Sequence, residues 1–410
     1  MKEKIQAFGK RIKKGFERMG GFLKKWEMPI AFALVGVLAM ALRISLFDAR
    51  AGDYNAFLSK WFDTIQSNGG FAALGMTLGD YTAPYYYILT LLTYLPIPSL
   101  YSIKAVSCIF DVVLAVFVAR IVWEFFNNKT ASLLVYTITL FLPTVFLNSG
   151  SWGQCDSIYV SFCVMSLYYL LKDKKYTAII LYGVAFSFKL QAIFLAPLLA
   201  VLWFKRKIPL LSPLIIVGVY FVFCIPSWIA GRDLWSLLTV YFMQAGEYAS
   251  RLNLNAPAFA AMLGTLDEGW TALLSKMLVV LALSLTVIAM YFCARKTEWS
   301  KRTYLHFGLL FALGVPFFLP HMHERYFYLA DILALLYAFL HPKRAYTALL
   351  TEFCSFYAVG EYLWNMPFFT LGFIAFLQGV NLLLLVRDLW KDYGKPLTGT
   401  PLTGLDGERV

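Results

Sequence analysis

The chain has 410 residues, 60% of them hydrophobic and 15% charged, with a mean hydropathy of +0.65. Soluble globular proteins are about half apolar and about a quarter charged, so a string of soluble domains is excluded and a bundle of membrane helices is indicated, each needing ~20 apolar residues. The formal net charge of +12 invites a nucleic-acid partner, but most of the excess sits in the N-terminal segment and in short loops between apolar runs, where the positive-inside bias accounts for it.

Residues 1–27 carry nine Lys/Arg against three Glu. They predict an interfacial, cytoplasmic helix. A cleaved signal peptide is disfavoured, because the following apolar run is long and no small-residue cleavage site precedes it. The first span is Met28–Phe47, which leaves FDARAGDYNAFLSKW (47–61) at the far membrane surface. An amphipathic helix starts at Asp53: Phe57, Trp61 and Ile65 recur every fourth residue, as do Leu58 and Phe62. Lys60, Asp63 and Gln66 take the other face, so this helix should lie along the membrane. Tyr85–Pro96 is short for a crossing and is bracketed by Pro84, Pro96 and Pro98. It reads as a re-entrant loop helix that stays on the far side.

Ser102–Phe126 is a full span whose Arg120 and neighbouring Lys129 belong inside. Ala131–Asn148 goes back out and delivers SWGQCDS (151–157); Ile158–Leu171 returns to KDKK (172–175). Tyr176–Phe204 is one apolar stretch of 29 residues with a basic loop at each end. One helix cannot place both ends inside, whereas two short helices broken near Ser187–Gln191 can, and broken membrane helices usually line a cavity. Pro209–Ala230 goes out, Gly231–Trp270 forms a polar-aromatic outer loop, and Ala272–Cys293 returns. His306–Pro320 leads out to HMHER (321–325), Tyr326–Leu340 returns, Tyr346–Gly360 goes out and Pro367–Leu385 returns. The reading is an all-α polytopic membrane protein of about twelve spans. It has one transmembrane domain at 28–388 and a cytoplasmic, disordered Gly/Thr/Pro-rich tail at 389–410. The six cysteines form no CxxC pair and mostly lie in apolar runs, so they imply neither a disulfide nor a zinc site.

In this topology the polar stretches meet on the outer face. Asp53 is the candidate catalytic base, with Tyr54 beside it; a helix N-cap is its compatible ordinary role, and Asp48 is the alternative base. Asp80 and Tyr81 suit either sugar binding or an Asp-initiated turn. Gln154 and Asp156 suit hydrogen bonds to sugar hydroxyls, although a helix cap would account for one of SWGQCDS. Lys189 sits in FSFKLQAIF without an obvious local carboxylate. Such an intramembrane cation marks a site or else snorkels, and a lipid phosphate is its natural partner. In HMHER, Arg325 is a fork suited to phosphate, and His321, His323 and Glu324 supply proton or hydrogen-bond partners. A metal needs an acidic partner that is not evident there, and an interfacial anchor is the ordinary alternative. Asp111 and Asp331, within spans, predict internal pairing, Asp111 with Lys104 two turns away on the same face.

These stretches, in this order, resemble the GT-C superfamily of polyprenyl-phosphate-sugar-dependent glycosyltransferases, nearest to bacterial Gpi18-like mannosyltransferase homologues and extending to the dolichyl-phosphate-glucose glucosyltransferases. GDYNAFLSKW is similar to the glucosyltransferases' first-loop motif, whose Asp is taken as general base, here Asp53. LGDYTAP is similar to their DYPP-type motif, with Ala83 in place of the first proline; SFKLQAIFLAP is similar to their NFK-type helix break, and HMHER to their HxHE(K/R) motif. The resemblance covers most of residues 45–340 and implies a GT-C fold, a polyprenyl-phosphate-linked hexose donor, a glycan, glycolipid or wall-polymer acceptor, and an extracytoplasmic site in the cell membrane. No DxD-type metal motif appears in the first outer loop, so a metal-independent, inverting transfer without a cofactor is implied. The rival classes are a lipid-linked-sugar transporter or flippase, against which no inverted repeat is evident, and a ligase or polymerase using a diphosphate-linked glycan.

Overall fold

The computed structural model describes residues 26–247, 250–366 and 368–394. The predicted basic helix at 1–27 and the predicted tail lie almost wholly outside these residues. Among the described residues the chain is helical, without a named strand. Helix α1 is Trp26–Ile44. A short π-helical turn, Tyr54–Leu58, leads into α2, Ser59–Ser67, and α3 is Ala83–Thr93. Then come α4 (Ser99–Phe126), α5 (Lys129–Phe141), α6 (Pro143–Phe146) and a second π-helical turn at Leu147–Trp152. Next are α7 (Asp156–Leu171), α8 (Lys175–Phe188) and α9 (Ala196–Phe204). The rest are α10 (Ser212–Ile229), α11 (Leu234–Leu238), α12 (Val240–Glu247), α13 (Glu268–Arg295), α14 (Lys301–Phe318), α15 (Tyr328–Leu340), α16 (Tyr346–Trp364) and α17 (Leu371–Tyr393).

Five helices, α1, α4, α10, α13 and α17, are long and apolar enough to cross a membrane; α5 with Pro143–Trp152 makes a sixth if the bent pair is one span. At 28 residues, α4 and α13 each extend ~42 Å, more than the ~30 Å hydrocarbon layer. By this measure the expected twelve crossings are not reached. The shortfall lies where breaks or short lengths shorten helices, as in α7, α8, the segment Leu190–Phe204 and α15.

The breaks have local causes. Leu142 is extended (φ −63°, ψ 125°) because Pro143 follows it, and the chain bends 51° there. Lys189 is likewise extended (φ −155°, ψ 135°), ending α8 within the predicted window; a 3₁₀ turn, Leu190–Leu195, then re-enters the helical path. The predicted amphipathic helix holds: Trp61, Phe62 and Ile65 are buried while Lys60, Asp63 and Gln66 are exposed. Phe57 departs from its predicted face and is 41% exposed. The re-entrant helix predicted at Tyr85–Pro96 is α3. The predicted outer loop, Gly231–Trp270, contains α11 and α12, and α17 continues to Tyr393, past the expected domain end at 388.

The main core joins α4, α7, α8, α14 and α15. Within it Asp111 pairs not with Lys104 but with Arg43 of α1, Nε to Oδ2 at 2.7 Å, both fully buried. Lys104 instead donates to the carbonyls of Leu46, Phe47 and Ala49 in the turn that follows α1, at 2.6–3.1 Å. The two residues are seven apart on α4, but a long cation reaches loop carbonyls that converge on it as readily as a carboxylate two turns away. Among the described residues Asp331 has no ion-pair partner; it accepts from Ser355 at 2.7 Å. The basic loops gather at one end, where Glu124 bridges Lys172 (3.0 Å) and Lys301 (3.4 Å).

Candidate active site

At the other end, a cavity of about 430 Å³ opens between the first loop, the break after α8 and the turn after α14. Asp53, at the start of the first π-helical turn, lies on its wall. The sequence allowed Asp53 an N-cap role; the structure gives it no side-chain cap bond. Its carboxylate instead accepts from Gln154 Nε2 (2.7 Å), Trp152 Nε1 (3.1 Å) and Tyr362 Oη (2.8 Å). Trp152 and Tyr362 stack at 4.8 Å between centroids, 22° from parallel. Two aromatic planes and one amide therefore fix the carboxylate. Gln154 and Trp152 are delivered by the turn after α6, where Gly153 has φ 78° and a Cβ would meet Lys104 at 3.3 Å. That reversal takes a glycine for backbone and side-chain reasons together.

Behind Asp53 lies an ion cluster. Asp156, fully buried at the start of α7, accepts from Lys189 Nζ at 2.5 Å and from Asn148 Nδ2 at 2.9 Å. Lys189 has no carboxylate among its flanking residues, as the sequence indicated, but it has one in space. The partner is 33 positions upstream, beyond any local window. Arg325 donates to Glu324 at 2.8 Å and stands 3.8 Å from Asp53 and 3.6 Å from Asp156. Its guanidinium lies over Trp152, 5.1 Å from the ring centre. Burial opposes its charge, yet Glu324, Asp156, Tyr81 and Asp53 hold it firmly protonated. Burial also keeps His323 below the usual imidazole range, although Glu324 pulls the other way. The ring is thus held towards its neutral form. Three carboxylates face two cations, so the charges largely cancel before any substrate arrives. Donors nevertheless remain: an ammonium has three N–H groups and a guanidinium five, and only some are used.

Most candidates named from the sequence meet here. Asp53, Asp80, Tyr81, Gln154, Lys189, His321, His323 and Arg325 line the cavity. Tyr81 lies under Lys189 at 5.9 Å, and burial keeps its phenol protonated. His321 adopts φ 60° and is held by Ser275 Oγ (2.9 Å) and the Arg251 carbonyl (2.6 Å). The HMHER turn is pinned further by Leu254 N–H donating to the Met322 carbonyl at 3.0 Å. Asp156 and Glu324 sit one layer back, both buried. Tyr54 is turned away from the cavity, buried and hydrogen-bonded to Ser99 at 2.8 Å. The alternative base, Asp48, is exposed and bonded to Tyr101 at 2.5 Å, outside the cavity lining. Tyr362 was not among the candidates. Its only sequence signal was an aromatic at the outer end of α16, which many membrane helices share.

The family model for Glycosyltransferase family 87 matches residues 80–320, more than half of the chain. No curated protein matches it.

Proposed function

The chain belongs to glycosyltransferase family 87, and from that premise we propose that it transfers a hexose from a polyprenyl-phosphate sugar to an acceptor hydroxyl, with Asp53 as general base. The observation that carries this reading is the triply hydrogen-bonded Asp53 carboxylate on the cavity wall. Oδ2 takes two of those bonds and Oδ1 one. A carboxylate offers about four lone-pair sites, so Oδ1 keeps one free for the acceptor's proton. As that proton moves to Oδ1, the acceptor oxygen attacks the anomeric carbon. The bond from that carbon to the phosphate oxygen breaks, its electron pair stays on the phosphate, and polyprenyl phosphate leaves. The in-line geometry inverts the anomeric centre, and no added metal takes part. The unused N–H groups of Lys189 and Arg325 receive the developing charge on the leaving phosphate. Asp156 and Glu324 hold those cations in place without filling them.

A lipid donor suits the shape of the cavity. Phe57, Ile193 and Val279 line it and are 41%, 43% and 37% exposed, so apolar surface is open beside the headgroup site. Val279 lies ~17 Å along α13 from its start, at hydrocarbon depth for a spanning helix. A polyprenyl chain can therefore leave sideways into lipid while its headgroup stays inside. The fold is proposed as GT-C, with the shorter apolar helices completing about twelve crossings and the site on the extracytoplasmic face of the cell membrane. Bacterial Gpi18-like mannosyltransferases and dolichyl-phosphate-glucose glucosyltransferases remain the likeness from which donor class and facing are inferred. The acceptor class is a glycan, glycolipid or wall polymer.

The test is transfer by the purified protein from a polyprenyl-phosphate hexose to a hydroxyl acceptor, without added Mg²⁺ or Mn²⁺. A general base contributes typically 10²–10⁴-fold, so Asp53→Asn should lower turnover on about that scale with donor binding retained. Near-normal turnover in that variant removes the base assignment. Movement of the lipid across a bilayer with no transfer favours the flippase class instead.

A further inference from the structure

A second polar cluster closes the opposite end of α14 from the HMHER turn. His306 lies near the start of α14, His341 directly follows α15, and Asp392 and Tyr393 end α17. The two imidazoles face each other, Nε2 to Nε2, at 3.0 Å. A carboxylate oxygen of Asp392 lies within 4.8 Å of a ring nitrogen of each histidine. His306 Nδ1 is hydrogen-bonded to the Tyr393 hydroxyl at 2.7 Å.

We propose that His306 Nε2, His341 Nε2 and an Asp392 oxygen form a site for a divalent transition-metal ion of the zinc class, with water as the fourth ligand. Imidazole nitrogen and carboxylate oxygen are the ordinary donors for such an ion, at about 2.0–2.2 Å. Two nitrogens bound to one tetrahedral centre stand roughly 3.3 Å apart, so the imidazoles need to part by only a few tenths of an ångström. A metal-bound histidine normally has its other ring nitrogen held by a hydrogen-bond partner, and Tyr393 is that partner for His306. Burial lessens from His306 to His341 and Asp392, whose side chain is 26% exposed, which gives the ion an entry path.

The neighbouring charges are mixed. Arg344 holds both oxygens of Asp392, one at 2.8 Å, and lies 3.5 Å from Asp388, which Arg387 also contacts at 3.0 Å. Each carboxylate oxygen has two lone pairs, so Asp392 can serve Arg344 and the ion together. Arg302 also acts on both imidazoles. These cations make the site weaker than a closed four-ligand zinc site. The ion links α14, α15 and α17, and its role is that of a clip remote from the cavity.

The full chain, purified in detergent through a histidine-free tag, is dialysed against Zn²⁺ and then against buffer, and its zinc content is measured. One Zn²⁺ per chain is expected, with a rise in Tm that EDTA reverses. The chain has four histidines, so variants separate the two ends. His306→Gln and His341→Gln should lose the ion, whereas the double variant His321→Gln/His323→Gln should keep it. Asp392→Asn, at a half-buried position, should weaken retention at least tenfold even if the histidine variants fold poorly. Failure of the wild-type chain to retain Zn²⁺, or equal retention by His341→Gln and Asp392→Asn, overturns the proposal and leaves an N–H···N bond as the link between the rings.

Discussion

Two arginines in this molecule, Arg43 with a side chain fully buried and Arg325 with one 12% exposed, have opposite surroundings. Arg43 uses all three guanidinium nitrogens: Nε on Asp111, Nη1 on the Ala39 carbonyl and Nη2 on the Leu140 carbonyl. It is fully buried, and the pair joins α1 to α4 as a closed unit. Arg325 makes one direct hydrogen bond, to Glu324, and its Nε lies 3.6 Å from Asp156, beyond hydrogen-bond reach. It borders a cavity and stacks on an aromatic ring. Both charges are held largely out of solvent, so low exposure alone does not distinguish structure from function here. What differs is unspent hydrogen-bond capacity that faces open space. A closed pair holds helices together, while an open one can receive a substrate.

That contrast can be broken from either side. The largest effect expected beyond Asp53 belongs to the closed pair. Asp111→Leu leaves Arg43 buried without its counter-charge, and breaking a buried pair costs ~3–5 kcal/mol. Folded yield in detergent should collapse, and the double variant Arg43→Met/Asp111→Leu should recover much of it. No recovery in the double variant contradicts a purely structural role for the pair.

At the open cluster the effect should appear in donor use. Arg325→Ala and Lys189→Ala should each raise the donor KM by roughly tenfold or more, in line with charge-assisted hydrogen bonds worth about 1.5–3 kcal/mol. Donor saturation curves that match the wild type in both variants dismiss the phosphate assignment. Lys189→Ala also leaves Asp156 buried without its cation, so its melting temperature should fall; Arg325→Lys, which keeps charge but loses the planar fork and the ring contact, separates affinity from folding.

Tyr362→Phe removes one of three bonds to Asp53. Its expected loss is roughly tenfold in kcat, from one hydrogen bond to a charged group, with donor KM little changed. An unaltered kcat makes Tyr362 a packing residue only. The smallest effect should come from Tyr54→Phe, which deletes the bond to Ser99. About 1 kcal/mol of stability is at stake and turnover should hold; a large turnover loss would return Tyr54 to the site from which its geometry removes it.

Sequence reasoning succeeded where the cause was local or periodic. The apolar runs marked most helices, because lipid satisfies no backbone polar group and forces long apolar helices. Lys189 marked the break after α8, since two basic loops cannot both lie on one side of a single crossing. The facing of Trp61, Phe62 and Ile65 followed from their spacing. Collection of Asp53, Gln154, Lys189 and Arg325 on one cavity followed from topology alone, since each was placed on the same face. Reasoning fell short where partners come from far along the chain. Asp111 with Arg43 is separated by 68 positions and Tyr362 with Asp53 by 309. No window of sequence contains either pair.

The amino-acid sequence by itself determined that this chain is a helical membrane protein with its polar loops gathered at one end, because hydropathy and loop charge act residue by residue. Tertiary structure alone decided which carboxylate meets which cation, that Asp48 and Tyr54 stand apart from the cavity while Asp53 lines it, and that a tyrosine of α16 completes the cradle. Those choices depend on distances of about 3 Å between helices, and such distances are set by packing rather than by order along the chain.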